Sequence, residues 1–392
     1  MTQAEIEQRL HLHEVDHAEL AELLLWHYGS ARTVDDKHVS YPDAEPAELL
    51  VEYSGSRIWR ILPQPSMVDE TLFALERRVL AELLAATVPG IARFVMFSRR
   101  PVEGYWRHRD HVVLRQPPSD WPQAHELSSI HPLLCEVAYE GSVESHTDMR
   151  RRDRQAKHAK LLLSILVPGL SNQSVSTAQF AWVLPPAAGP DSPRGSVCLQ
   201  EMYWPGEFDA RADRLTAPSA PDMPSADDLY GGSPWMFAWD QTLLVPTSLG
   251  LDIDRFQALD RSRRREFLRA AFWQHQAQLL WSRSPSASYQ ALIQSIEVLA
   301  AATPHSDGAR KQFKAFLRDY APGDWGGADE LYRMRSLIVH GNTLMLADEE
   351  GFGLGLSPRA RGEDHLHNLA ATVSRAAAIN WLRGEKLPPD QQ

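Results

Sequence analysis

Cysteine is scarce in this sequence, since Cys135 and Cys198 are the only two among 392 residues. This scarcity excludes a disulfide-stabilised scaffold and a zinc site built from cysteines. Apolar runs of membrane-spanning length are also lacking, because the longest, LLLSILVPGL, is interrupted by Pro168 and Gly169. The charged first residues lack the apolar centre of a signal peptide. From these absences we expect a cytoplasmic protein without a membrane segment.

Sequence motifs of common cofactor sites are missing too. The chain contains no glycine-rich phosphate loop, no dinucleotide fingerprint and no nucleophile elbow. Two histidine pairs superficially suggest metal ligands, but no ordered set of further ligands accompanies them. We interpret His108 and His111 as ordinary surface histidines, and place His365 and His367 at the start of a helix capped by Asp364. The sequence therefore predicts neither a metal nor a cofactor.

Charge is unevenly distributed. The formal net charge of −11 argues against a protein that coats nucleic acid through overall attraction, although a local basic surface remains compatible with it. Two segments are rich in arginine and lysine, residues 149–160 and residues 260–269. We interpret both as solvated helix faces and keep phosphate contacts as the open alternative.

The character of the sequence changes near residue 245. Residues 1–245 mix helical periodicity with aromatic and β-branched segments that are typical of strands. Within them, prolines and glycines concentrate between about residues 185 and 234, a composition typical of loops. We therefore predict two domains, a mixed α/β region over residues 1–245 and a second domain over residues 246–392.

The second predicted domain has helical periodicity throughout. Four or five amphipathic helices with short connections predict an all-α bundle. One of them has Ser286 or Ser288 as its N-cap, another ends at Pro322, and Gly384 follows the last. The predicted fold is an α+β N-terminal region followed by an all-α helical bundle.

The stretch LYRMRSLIVHG, residues 331–341, places three basic residues on an otherwise apolar helix. At about 100° per residue, one packed face holds four apolar residues: Leu331, Met334, Leu337 and Ile338. His340 points roughly opposite to this face, with Arg333 in line with it and Arg335 on the flank. Gly341 permits the left-handed conformation that ends helices. Geometry alone favours a surface histidine near a helix end.

The pattern of Arg335, four intervening residues, His340 and Gly341 resembles the signature of HEPN domains. The fuller LYRMRSLIVHG resembles the Apea-like HEPN branch in particular. Upstream, SYQALIQSIEVLAA and FKAFLRDY resemble the preceding helices of that branch, so the resemblance covers residues 246–387. It implies a helical domain that dimerises and places two Arg/His motifs at one composite cleft.

Many HEPN domains are metal-independent ribonucleases that serve in defence against phage or in toxin–antitoxin pairs. The resemblance therefore implies that His340 is the general acid–base and Arg335 the phosphate clamp, with Ser336 beside them in the catalytic set. RNA carries its own nucleophile, the 2′-hydroxyl, so the protein has to supply proton transfer and charge stabilisation. Imidazole and guanidinium groups provide these functions.

Further residues take supporting roles in this interpretation. Arg333 and Asn342 would contact RNA. Glu297 would form an ion pair with an arginine of the motif, or else a simple contact between helices. His365 and His367 are additional candidates for the cleft.

Two functions remain open at this point. The first is a metal-independent endoribonuclease that acts as an antiphage or toxin-like effector and forms a homodimer. The alternative is a non-catalytic HEPN dimerisation or RNA-binding module, which Ser336 leaves open because the family frequently has asparagine there. In either case residues 1–245 would be a sensor or regulatory region that responds to a phage-derived trigger or an antitoxin partner.

Overall fold

The computed structural model describes most of the chain. The described residues are 3–41, 49–54, 57–62, 69–118, 123–124, 131–171, 180–183, 197–200, 212–218, 220–227, 241–303, 308–321, 327–350 and 357–385. Most of the predicted loop segment, residues 185–234, lies outside these ranges, as does Pro322.

Helices occur in both halves of the described chain. They are α1 (Gln3–Arg9), α2 (His17–Tyr28), α3 (Asp69–Glu82), α4 (Ser145–Leu166), α5 (Leu249–Ala258), α6 (Arg261–Leu280), α7 (Pro285–Ala301), α8 (Ala309–Tyr320), α9 (Ala328–Val339), α10 (Leu346–Glu350) and α11 (Pro358–Arg383). None of the helices in the described residues combines the length and apolar character that crossing a bilayer requires.

Strands are confined to the part of the described chain before α5. They are β1 (Arg32–Thr33), β2 (His38–Tyr41), β3 (Leu49–Ser54), β4 (Arg57–Leu62), β5 (Val88–Ser98), β6 (Tyr105–His108), β7 (Val112–Arg115), β8 (Gln123–Ala124), β9 (His131–Gly141), β10 (Leu170–Ser171), β11 (Phe180–Val183), β12 (Val197–Gln200), β13 (Ser225–Ala226) and β14 (Val245–Pro246). An α+β N-terminal region followed by a helical C-terminal part is therefore confirmed.

Two compact units make up the chain. The first combines residues 1–91 with residues 138–155, and the second combines residues 92–137 with residues 156–392. The predicted boundary between residues 245 and 246 falls inside the second unit, in the middle of β14, which pairs in parallel with β13.

The first unit contains an antiparallel sheet in the order β1-β2-β3-β4. Leu20 and Leu24 of α2 share one buried cluster with Val51 of β3 and Ile61 of β4. Asp16 caps α2, because its carboxylate accepts the backbone N–H groups of the first turn.

The first basic segment is held by ion pairs within this unit. The guanidinium of Arg151 donates to both carboxylate oxygens of Glu19, at 3.2 and 2.9 Å, and Arg154 donates to Glu19 at 3.1 Å. Arg150 lies 3.6 Å from Glu22. The prediction of a solvated face is wrong for Arg151, whose side chain is only 14% exposed. Its partner on α2 lies 132 residues away in sequence, so sequence spacing does not indicate the contact.

The second unit contains the helical bundle, in which α7 is central. This helix contacts α6, α8, α9 and α11, and it is buried on nearly all sides. A helix without a polar face is expected to be buried among other helices, because no side of it is suited to water. The hydroxyl of Tyr289 on α7 donates to the carbonyl of Leu331 on α9 at 2.8 Å, which links these two helices.

The start of α7 differs from the prediction. Ser284 is its N-cap, with the side chain accepting a backbone N–H at 3.2 Å, and Pro285 occupies the first helical position. Proline suits this position because its missing N–H would have no partner there. Ser286 and Ser288, the predicted caps, lie inside the helix; Ser286 accepts the N–H of Met345 at 2.7 Å.

The last helix also begins earlier than predicted. Ser357 caps α11 and Pro358 follows it, so Asp364 lies well inside the helix and is not its cap. Gly384 directly after α11 is left-handed, with a φ of 68°, as the sequence predicts.

Two buried histidines make the second unit sensitive to acid. Burial lowers the pKa of His367 to about 3 and that of His275 to about 4, the latter with a smaller contribution from Lys160. In the unfolded chain both return to a pKa of about 6.5 and take up a proton at mild acidity. Stability contributed by the neutral rings is therefore present above about pH 6.5 and is lost as the pH falls toward 4.

We expect each of these histidines to lower the free energy of unfolding by about 2 kcal/mol between pH 7 and pH 5. Urea titrations followed by circular dichroism at the two pH values measure this loss. In a His367→Gln variant this loss between pH 7 and pH 5 should be smaller by about 2 kcal/mol. An unchanged pH dependence in His367→Gln would contradict the assignment.

Candidate functional site

The packed face of α9 is close to the one that helical periodicity predicts. Leu331 and Ile338 are buried, together with Ala328 in the first turn, while Met334 and Leu337 are partly buried. The opposite side of the helix is exposed at Arg333 and His340.

The C-terminal end of α9 has a defined geometry. Gly341 is left-handed with a φ of 69°, and its N–H donates to the carbonyl of Ile338 at 3.0 Å. The N–H of Asn342 donates to the carbonyl of Leu337 at 2.9 Å, which completes a Schellman motif. The predicted helix stop at Gly341 is confirmed. His340 is the C-cap and lies just after the last helical residue, where these bonds fix its backbone.

Arg335 is oriented by a carboxylate from another helix. Its Nη2 donates to Oε2 of Glu297 on α7 at 3.0 Å, with exposed side-chain fractions of 24% and 16%. The guanidinium carbon also lies 5.8 Å from the ring centre of Tyr332. Of the two alternatives for Glu297, the structure contains the ion pair. Because a guanidinium has five N–H donors in a rigid plane, Arg335 keeps donors for a further anion.

His340 and Arg335 point in different directions within one chain. Five residues separate them, which corresponds to about 140° around the helix axis, whereas Arg333 projects within about 20° of His340. Arg335 is directed toward α7 by Glu297, while His340 and Asn342 are exposed. Ser336 is partly buried, and its backbone carbonyl accepts the N–H of His340 at 3.1 Å.

A basic helix adjoins the start of α9. Arg310 and Lys314 on α8 each lie 2.7 Å from a carboxylate oxygen of Asp329, in the first turn of α9. These hydrogen bonds, from Lys314 first and then Arg310, hold the pKa of Asp329 below its usual value. Arg318, one turn further along α8, is 55% exposed. These basic residues of α8 could not be predicted as one surface from the sequence, because they are spread along the helix and form no compact motif.

Comparison of the chain with protein-family models, curated proteins and solved structures gives no match. The HEPN interpretation therefore depends on the residues of the motif and on their geometry.

One histidine of each predicted pair, His108 and His367, is more buried than the sequence predicts, whereas His111 and His365 are exposed. His108 is a partly buried residue of β6, and its Nε2 lies 2.8 Å from Oδ1 of Asp254 on α5. His111 is exposed, as the sequence predicts. His367 is buried in α11 with Nε2 2.9 Å from the hydroxyl of Ser288, so it has no access to a surface cleft. The contacts of His108 and His367 could not be predicted from the spacing of residues in the sequence, because the partners lie 146 and 79 residues away.

No three His, Cys, Asp or Glu side chains of the described residues are grouped so that they could hold a metal ion. The candidate site consists of six residues on α7, on α9 and just after α9: Glu297, Arg333, Arg335, Ser336, His340 and Asn342.

Proposed function

We propose that this protein is a metal-independent endoribonuclease of the HEPN type, with its catalytic groups at the C-terminal end of α9. The observation that carries the proposal is the placement of Arg335 and His340. Arg335 is oriented by Glu297 at 3.0 Å, and the exposed His340 follows a helix end fixed by Gly341.

The reaction needs two proton transfers and one site for anionic charge. The imidazole of His340 takes the proton from the 2′-hydroxyl, whose oxygen then forms a bond to the adjacent phosphorus. The P–O5′ bond breaks, and the leaving O5′ receives the proton that the imidazole took up, which returns His340 to its neutral form. The guanidinium of Arg335 binds the phosphoryl oxygens, where negative charge develops in the transition state.

A second copy of the chain completes this site in our proposal. Because Arg335 and His340 diverge by about 140° in one copy, a two-fold arrangement is a simple way to bring an arginine and a histidine to the same phosphate. We propose a homodimer through the helical bundle. Light scattering that shows a strict monomer with full activity would refute this part of the proposal.

The biological role belongs to the same proposal. An enzyme that cleaves cellular RNA in the cytoplasm needs restraint, so we propose an antiphage or toxin-like effector. Residues 1–245 would then sense a phage-derived trigger or bind an antitoxin. RNA is the proposed substrate.

Incubation of the purified full-length protein with total RNA in EDTA tests the proposal. We expect fragments that end in 2′,3′-cyclic phosphate or in its hydrolysis product, and no cleavage of DNA. RNA with 2′-O-methyl groups should resist, because the nucleophile is blocked. Cleavage that requires Mg²⁺ would contradict the mechanism, and binding without fragments would favour the non-catalytic RNA-binding alternative.

A further inference from the structure

Helix α6 has a row of arginines on its exposed face. Arg261, Arg265 and Arg269 follow one another at four-residue intervals, so each is about 6 Å from the next along the axis. All three are exposed, with exposed side-chain fractions of 62% for Arg265 and 59% for Arg269. The buried residues of α6, including Phe267 and Ala271, lie on the opposite side. We name these three residues the arginine row.

Helix stability does not explain the arginine row. Like charges four residues apart destabilise a helix, and the row contains two such pairs. Positive charge near the N-terminus also opposes the helix dipole, and the N-cap Asp260 is a single carboxylate at an end that holds several arginines. Arg265 and Arg269 share a single carboxylate, Glu266, at 3.4 and 3.2 Å. These two arginines together therefore keep a net positive charge in a chain whose net charge is −11.

An exposed aromatic ring continues the arginine row. Phe272 lies one turn after Arg269 on the same side of α6 and is 40% exposed. The ring packs edge-on against Trp273, with 5.5 Å between the ring centres. Exposed aromatic rings beside cationic side chains are the usual means of binding single-stranded nucleic acids, because bases stack on the ring and phosphates contact the cations.

We propose that α6 is a docking surface for the backbone of single-stranded RNA. Arg261, Arg265 and Arg269 bind successive phosphates, and Phe272 stacks with one base. The interval of about 6 Å between arginines is comparable with the separation of neighbouring phosphates along a strand. The inference deepens the proposed function by giving it a substrate-binding surface, and it rests on that function for the choice of RNA.

Binding of an RNA that is not cleaved tests this inference. The probe is a fluorescent 2′-O-methyl oligouridylate of about 20 nucleotides, long enough to span several contacts, and its anisotropy is measured with the full-length protein. The variant Arg261→Gln/Arg265→Gln/Arg269→Gln should bind about 30-fold more weakly at 0.1 M salt. The slope of log K against log salt should become shallower by about 2, because three phosphate contacts are lost.

A matched control has the same loss of charge at other exposed positions. Arg32→Gln/Lys37→Gln/Arg214→Gln should change binding less than about twofold, because these exposed charges lie outside both basic segments and form no continuous row. Phe272→Ala should weaken binding about tenfold with an unchanged salt slope. Circular dichroism confirms that each variant is folded.

Two results would overturn the inference. The first is an equal affinity and salt slope for the α6 variant and its control. The second is binding of phosphatidylserine vesicles, but not of the oligonucleotide, through the arginine row. Because the probe cannot be cleaved, the outcome is independent of catalysis. If the α6 variant loses oligonucleotide binding and the unaltered protein never cleaves RNA, the docking surface is supported and the proposed nuclease activity is rejected.

Discussion

Replacement of His340 by alanine is expected to lower the rate of RNA cleavage by about 10²- to 10⁴-fold, the usual contribution of a general acid–base. His340 is exposed at the C-cap of α9, so its removal leaves no buried cavity. The fold and the affinity for RNA should therefore change little. Single-turnover cleavage of a labelled RNA, with thermal unfolding and anisotropy measured in parallel, separates loss of chemistry from loss of structure.

His111→Ala is the matched control for this experiment. His111 is another exposed histidine of the second unit and lies outside the candidate site, so its loss should leave cleavage intact. Equal activity of His340→Ala and the unaltered protein would reject His340 as the acid–base. If the two histidine variants were equally impaired, the loss would have to be attributed to a nonspecific effect on the protein.

Local features of the site could be predicted from the sequence, because they depend on neighbouring residues. The left-handed Gly341 and the exposed side of α9 follow from helical periodicity and from the conformational freedom of glycine. The contact of Arg335 with Glu297 is different, since 38 residues separate the two. From the sequence this ion pair is only one of two alternatives for Glu297, and tertiary packing decides between them.

Two predictions are wrong for different reasons, one long-range and one local. His108 was interpreted as a surface residue because its partner, Asp254, lies on a different element 146 residues later. The sequence predicts the cap of α7 at Ser286 or Ser288, but Pro285 fits the first helical position and makes Ser284 the cap.

The two arginines of the motif are expected to separate turnover from binding. Arg335 is oriented by Glu297, so its remaining donors are in place to stabilise a developing charge. Arg333 is exposed and lies on the side of His340, where it can contact the RNA backbone. We expect Arg335→Ala to lower kcat by about 10²- to 10³-fold with little change in KM.

Arg333→Ala should instead raise KM severalfold at nearly constant kcat, because it removes an interaction that ground state and transition state share. The salt slope of binding should become shallower by about 0.7, which corresponds to one lost phosphate contact on a single strand. The two variants are thus a matched pair of arginine-to-alanine substitutions two residues apart on one helix.

Glu297→Gln distinguishes an oriented Arg335 from one that merely stabilises the fold. The amide can still accept a hydrogen bond from Arg335, but it loses the charge that holds the guanidinium in one position. We expect kcat to fall about tenfold while the unfolding temperature stays within a few degrees, because a partly exposed ion pair contributes about 1 kcal/mol. Parallel losses of kcat and of thermal stability in Glu297→Gln and Arg335→Ala would indicate a structural role. Loss of turnover in Arg333→Ala, with Arg335→Ala still active, would reverse the assignment and make Arg333 the partner of His340.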